Sequence, residues 1–214
     1  MADSGDLPLL GGHLSLDFAN TLEWRGSARE RDWLTGYEAL VAWALRAGAV
    51  DAREAEELRA YADWAPGSAA EVLEQARALR EAVFLVAAAS ASGEMPEAAD
   101  VESLNTCLAP LLGETRLSAS ASAIPGGLVP AWGGASDDLA RVLWPVARSA
   151  FDLLSGAAAG RLRECAGSDC HRLFLDRSKN GSRRWCAMSN CGNLAKARRH
   201  RARTQRGAGA QVVE

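Results

Sequence analysis

The chain has 214 residues, 48% of them hydrophobic, and a formal net charge of −3, the profile of a soluble globular protein with one ordinary domain and a smaller one. No apolar run approaches the ~20 residues that a membrane helix needs, which excludes transmembrane function classes. The opening MADSGDLPLLGG lacks the basic and apolar regions of a secretory leader, so a cytoplasmic location is expected, where clustered cysteines bind metal more often than they form disulfides.

Residues 13–25 read as a short amphipathic helix with Leu14, Leu16, Phe18, Ala19 and Leu22 apolar. Asp17, Asn20 and Thr21 interrupt that pattern. They either satisfy buried backbone groups or line a candidate ligand pocket between helices. His13 and Asp17, four apart, are most simply structural. Thr35 is a candidate cap for a helix carrying Leu40, Val41, Ala44 and Leu45, with Glu38 completing a capping box and Gly48 as the stop. Asp51 caps another helix through about Trp64. From Ser68 onward Val72, Ala76, Leu79, Val83 and Val86 recur at three and four residues, the period of a buried helical face. Residues 97–112 repeat that pattern.

The stretch 113–134 is rich in Ser, Gly and Pro and predicts a small hairpin or ordered loop. A helix follows from Asp137 to Leu154, with Pro145 expected to kink it. SGAAAG at 155–160 reads as a linker. The chain therefore divides into an acidic all-helical domain over 1–159, a metal module over 160–206 and a flexible tail over 207–214. With three histidines and no glycine-rich phosphate loop, no catalytic constellation is visible and the chain does not read as an enzyme.

The metal module rests on Cys165, Cys170, Cys186 and Cys191, two C-x4-C pairs separated by fifteen residues. Paired cysteines on either side of a hairpin-length insert can offer four thiolates to one tetrahedral zinc ion, and a closed shell of four cysteines is structural rather than catalytic. Gly167 permits the tight first turn. Residues 161–164 and 173–175 suit strands, Ser178–Gly181 a turn, and 183–186 a returning strand. Asn193 is a candidate N-cap for a final helix rich in Ala and Arg. Cys107 reads as a core residue and His171 as a bystander next to Cys170. Knuckle, hairpin and helix together resemble a treble-clef-like zinc finger, so the expected fold is mainly α: a helical domain with a small hairpin, then a finger ending in a basic helix.

The net charge hides an asymmetry. Residues 1–160 carry 11 Lys/Arg against 23 Asp/Glu, whereas residues 161–206 carry 13 against 3. A basic block of that density beside an acidic body points to a polyanionic partner. On a helical wheel Lys196, Arg199, Arg203 and Arg206 form a stripe, with Leu194 on the other side facing the zinc core. Arg183 and Arg184 on the hairpin extend the patch as candidate nucleic-acid contacts. Trp185, preceding a ligand, is expected to pack against the site.

The wording of the module, with Phe174, Asp176, Ser178, Asn180, Arg184, Trp185, Met188, Gly192 and Asn193 around the four cysteines, resembles the bacterial CGNR-type zinc finger over about 161–203. One departure is plain: Leu194 stands where that pattern usually has Arg, so a contact made by that Arg is lost or moved, with Lys196, Arg198 and Arg199 able to compensate. The segment GGHLSLDFANTLEWR, through Leu14, Leu16, Asp17, Phe18, Asn20 and Thr21, resembles the all-helical ABATE domain that accompanies this finger. The resemblance implies a stress-induced transcriptional regulator whose finger binds DNA with one structural zinc, and whose helical domain senses a signal or mediates association. Two alternatives stay open: a protein-interaction module whose finger is a structural clip docking an acidic protein surface, and an RNA-binding protein. A homodimer and a small-molecule effector are left open as well.

Overall fold

The structure, a computed structural model, describes residues 7–119, 127–133, 137–199 and 201. The tail 207–214 lies outside them. In chain order the elements are α1 (Leu14–Ala19), β1 (Leu22–Glu23), β2 (Arg31–Asp32), α2 (Tyr37–Arg46), α3 (Ala52–Trp64), α4 (Pro66–Ser92), α5 (Ala98–Leu112), β3 (Thr115–Ala119), β4 (Leu128–Trp132), a 3-10 turn (Leu139–Leu143), α6 (Trp144–Ser155), a second 3-10 turn (Ala157–Arg161), β5 (Leu162–Glu164), β6 (Leu173–Leu175) and a π-turn (Met188–Gly192) that runs on as α-helix over 193–199. The fold is mainly α, with three two-stranded antiparallel sheets among the described residues. No described helix is long and apolar enough to cross a membrane.

The 27-residue α4 is the axis. Ala69, Val72, Leu73, Ala76, Leu79, Val83 and Val86 recur along its buried side and meet Leu40, Val41, Leu58, Leu104, Leu108, Val142 and Val146 from the surrounding helices in one hydrophobic core. Asp51 caps α3 as its sequence predicts, accepting from the Glu54 amide at 2.8 Å. Sheet β3–β4 forms the expected hairpin, pairing Thr115 with Trp132 through Ala119 with Leu128.

Several local expectations are corrected. The helix read over 13–25 stops at Ala19, because Asn20 and Thr21 turn their side chains to backbone groups and the chain bends into β1. Helix α2 starts after Gly36 with no side-chain cap, so Thr35 does not cap it. Helix α4 begins at Pro66, whose ring suits a first helical turn, rather than at Ser68. Pro145 likewise sits in the first turn of α6, where a 3-10 turn gives way to α-helix. Its missing amide costs nothing there, so the expected mid-helix kink is replaced by a change of helix type.

The 155–160 stretch, read as a linker, supplies a 3-10 turn that delivers the chain straight into β5. Strands β5 and β6 pair as Leu162 with Leu175, Arg163 with Phe174 and Glu164 with Leu173. Leu162, Leu173 and Leu175 bury against Leu16 of α1, Ala87 of α4 and Leu153 of α6 in a second hydrophobic cluster. The polar side of this seam is equally specific. Asn20 donates from Nδ2 to the Leu173 carbonyl at 2.8 Å and accepts from the Leu173 amide at 2.9 Å, as a neighbouring strand would. The Leu175 amide donates to the Gly11 carbonyl at 2.8 Å, and Asp17 accepts from the Gly11 amide at 2.7 Å. Gly11 is obligatory here, since a Cβ would lie 2.7 Å from that of Leu16. Arg172, 6% exposed, forms an ion pair with Glu23 of β1, which also accepts from Trp33 Nε1 at 2.6 Å.

Both seam contacts can be broken singly. Asn20→Ala strands the amide and carbonyl of Leu173 in a dry interface, at roughly 1–3 kcal/mol for each group. Glu23→Ala leaves a buried guanidinium without its partner, at about 3–5 kcal/mol. Urea unfolding of the zinc-loaded chain should show both losses, with Arg148→Ala, at the exposed ion pair with Asp152, costing about 1 kcal/mol or less. Equal stability of Asn20→Ala and the parent chain would contradict the seam as described.

Candidate metal centre and basic surface

Cys165 follows β5 directly, and its amide donates to the Arg172 carbonyl at 2.9 Å, which closes the knuckle. The Cys170 amide donates to the Gly167 carbonyl at 3.1 Å. A Cβ on Gly167 would meet Cys170 Cβ at 3.1 Å and Cys191 Sγ at 3.4 Å, so a larger residue there would press Cys170 outward by a few tenths of an ångström. Cys186 donates its amide to Cys165 Sγ at 3.3 Å, and Cys191 lies in the π-turn. All four cysteines are buried, with their sulfurs within 4.8 Å of one another.

The donor set fits zinc. Sulfurs at the usual ~2.3 Å from a tetrahedral ion lie ~3.8 Å apart, and the Cys170–Cys186 and Cys186–Cys191 separations are 3.7 and 3.6 Å. Taken alone, the thiols cannot all ionise. Hydrogen bonds from Cys170 and Cys186 hold the Cys165 thiol far down, whereas the hydrogen bond with Cys165 drives Cys170 up, and burial with the neighbouring Cys186 pushes Cys191 up to about 12. Four thiolates this close would repel one another, and one structural zinc with a closed shell of four sulfurs would offset that charge. Phe174 and Trp185 pack around the cluster. His171 points elsewhere, pairing through Nδ1 with Glu164 at 2.7 Å, and Cys107 is half-buried against the helical core.

The loop between the cysteine pairs is organised by Asp176. Fully buried, it accepts from the Ser178 amide and hydroxyl at 2.8 and 2.6 Å and from the Arg183 amide at 3.0 Å. The Ser178 hydroxyl is the main reason its carboxyl sits below the usual range. The predicted Ser178–Gly181 turn is present, with Gly181 at φ 63°. The returning strand over 183–186 is not: the hairpin is β5–β6, and 183–186 is an extended segment tied to the knuckle by the Ala166 amide on the Arg184 carbonyl at 2.9 Å. Nor does Asn193 cap the final helix. That helix begins with the π-turn after Ala187, and Asn193 lies inside it, donating to the Ser189 carbonyl at 3.2 Å.

The basic residues divide into two sets. Arg183 turns inward. Its guanidinium stacks 4.1 Å from the Phe174 ring centroid and donates to the carbonyls of Trp185, Cys186 and Leu10, so it holds the finger together and is withdrawn from the exposed patch. Arg184, Lys196 and Arg199 are exposed, while Arg203 and Arg206 lie outside the described residues. Arg198 reaches back to the knuckle, donating to Ser168 Oγ at 2.5 Å. Leu194 does not pack onto the zinc core as the wheel suggests. It is 43% exposed and borders a cleft of about 280 Å³ between the finger and Trp24–Arg29 of the helical body.

Asp17, Asn20 and Thr21 are buried, and all three make hydrogen bonds to main chain: Asp17 to Gly11, Asn20 to Leu173, Thr21 Oγ1 to the Phe18 carbonyl at 2.7 Å. They hold chain to chain. Sequence reasoning missed Glu23, Trp24, Arg29 and Arg172, all at the seam. A buried charge pair between residues so far apart in the chain leaves no local signal, although the unlike charges of Glu23 and Arg172 inside two apolar stretches were visible.

Comparison with known proteins agrees with this geometry. Residues 12–157 match the ABATE family, described as "Putative stress-induced transcription regulator", and residues 161–204 match the CGNR zinc finger. No curated protein matches the chain. The ABATE match spans the helical body and meets the finger match at the second 3-10 turn, and the chain belongs to the ABATE family, with a CGNR zinc finger as its C-terminal part.

Proposed function

We propose that this protein is a zinc-dependent, DNA-binding regulator of transcription, in which the finger over 160–206 contacts DNA and the helical domain over 1–159 senses a signal or mediates association. The observation that carries the reading is the surface cationic set Arg184, Lys196 and Arg199 on a module fastened by four buried cysteines. Arg203 and Arg206 continue the basic sequence. Cations on a rigid helix meet phosphates in register, which gives affinity and orientation without base specificity. Family membership supports a regulatory role, and the cysteine cluster supports metal in a structural position, away from any chemistry.

Binding should be electrostatic first. With about four to six phosphates neutralised, log affinity for duplex DNA should fall against log salt with a slope of roughly −4 to −5. Replacing Lys196, Arg199 and Arg203 together by Ala should flatten that slope by about one unit per lost contact. Anisotropy titrations from low to moderate salt measure it, and a folded triple variant that binds with the parent slope would remove the helix from the interface.

Metal should be bound one ion per chain and be needed for the finger's shape. Chelation should abolish duplex binding and free four thiols for reaction with a chromogenic disulfide, and Cys191→Ser should bind zinc more weakly and unfold at a lower temperature. Retention of full DNA affinity after complete chelation would separate the metal from the function.

A further inference from the structure

The cleft of about 280 Å³ beside the cysteine cluster is built from both parts of the chain. Its walls carry two half-buried indoles: Trp24, just after β1, and Trp185, next to Cys186. Leu194 adds an apolar side chain. At the rim, Arg29 and Arg198 stand on either side of Asp169, at 3.2 and 3.9 Å from its Oδ2, and both arginine side chains are more than half exposed. Two guanidiniums against one carboxylate leave the rim net positive.

Trp24 is held in an unusual way. Its φ is 56°, in the left-handed region, and His171 is the only other described non-glycine residue with positive φ. For a bulky side chain that conformation costs about 1–3 kcal/mol, and such strain collects at binding sites. Here it sets an aromatic ring beside an open cleft, steadied by the Arg29 guanidinium 4.0 Å from the ring centroid. One side of Trp24 packs on the cysteine cluster, and the residue remains only partly buried at the cleft.

Aromatic walls with a cationic rim suit one ligand class in particular. A nucleobase stacks on indoles whatever its sequence, while its phosphate meets arginine. The volume, about 280 Å³, lies just below the ~300–1,000 Å³ typical of ligand clefts, which suits one base inside with its phosphate at the open rim. The same helix that supplies Leu194 and Arg198 carries Lys196 and Arg199, so the cleft adjoins the proposed DNA surface. We propose that this cleft binds a single nucleotide, its base against the Trp24 and Trp185 indoles and its phosphate on Arg29 and Arg198. The nucleotide is either free or an unpaired residue of bound DNA, and the second case rests on the DNA-binding reading above. Leu194 keeps the interior apolar. An arginine at that position would bring a third guanidinium to the cleft and fill space that the base needs.

The test uses the full zinc-loaded chain with three DNA probes and one free one: a paired duplex, the same duplex with one bulged nucleotide, the same with an abasic bulge, and adenosine monophosphate followed by calorimetry. The bulged duplex should bind about tenfold tighter than the paired one, the scale of one stacked base, and the abasic bulge should lose that preference. Leu194→Arg should abolish the preference, with Trp24→Ala as the second variant should the first fail to fold by near-UV circular dichroism. Monophosphate binding that disappears in Leu194→Arg, with no duplex bound at all, upholds the cleft for free nucleotides while the DNA reading fails. Normal binding of the paired duplex with neither a bulge preference nor monophosphate binding overturns the cleft and leaves the DNA reading intact. A bulge preference that survives in both folded variants also overturns it.

Discussion

The structure depends on one shared strand. β6 is the second strand of the zinc knuckle and also an element of the helical core, because Leu173 and Leu175 bury against α1, α4 and α6 while Phe174, on the alternate face, packs on the cysteine cluster. Three residues cannot serve two cores unless both surfaces are present at once. Period-two alternation supplies the geometry, and Asn20 supplies the missing hydrogen-bonding neighbour on one edge. The finger is thus seated in the helical body rather than tethered to it.

That seating changes what zinc does. Metal binding by a cysteine cluster contributes folding free energy, since the unfolded chain has no preformed site. Here the ordered knuckle presents β6 to the body, and the body in turn holds Arg172, whose carbonyl closes the knuckle on the Cys165 amide and whose guanidinium pairs with Glu23. Metal, knuckle and seam therefore stabilise one another. The acidic and basic halves of the sequence meet at this seam through a few buried, directional contacts, and their opposite bulk charges are not what joins them. That leaves the cations of the last helix facing solvent.

How much of this the sequence discloses depends on whether the signal is local. The Asp51 cap of α3, the helix periods of α4 and α5 and the paired cysteine spacing were legible because each is written in neighbouring residues. Pro145 misled because the same ring that breaks a helix interior suits its first turn, and only the position of the helix start decides between them. Arg183 misled for a different reason. Charge density assigned it to the surface patch, but a guanidinium can satisfy several carbonyls at once, and the carbonyls of Leu10, Trp185 and Cys186 come together only in the folded chain. Asn20 was visible as an interruption of an apolar pattern, and both readings of it were polar. Its partner, 153 residues away, was beyond any local pattern.

Position 194 shows how the seam and the basic helix constrain each other. The knuckle and the seated body fix the two walls of the cleft, so the helical turn that follows the π-turn faces it whatever residue stands at 194. With leucine, the side chain is 43% exposed at the cleft and carries no charge. The cationic function then falls to residues farther along the helix, Lys196 and Arg199, which lie at the surface, and to Arg198, which is drawn back toward Ser168 and Asp169. The departure from the CGNR pattern is therefore more than a missing contact: it separates the apolar cleft from the exposed cationic surface, two environments that an arginine at 194 would merge.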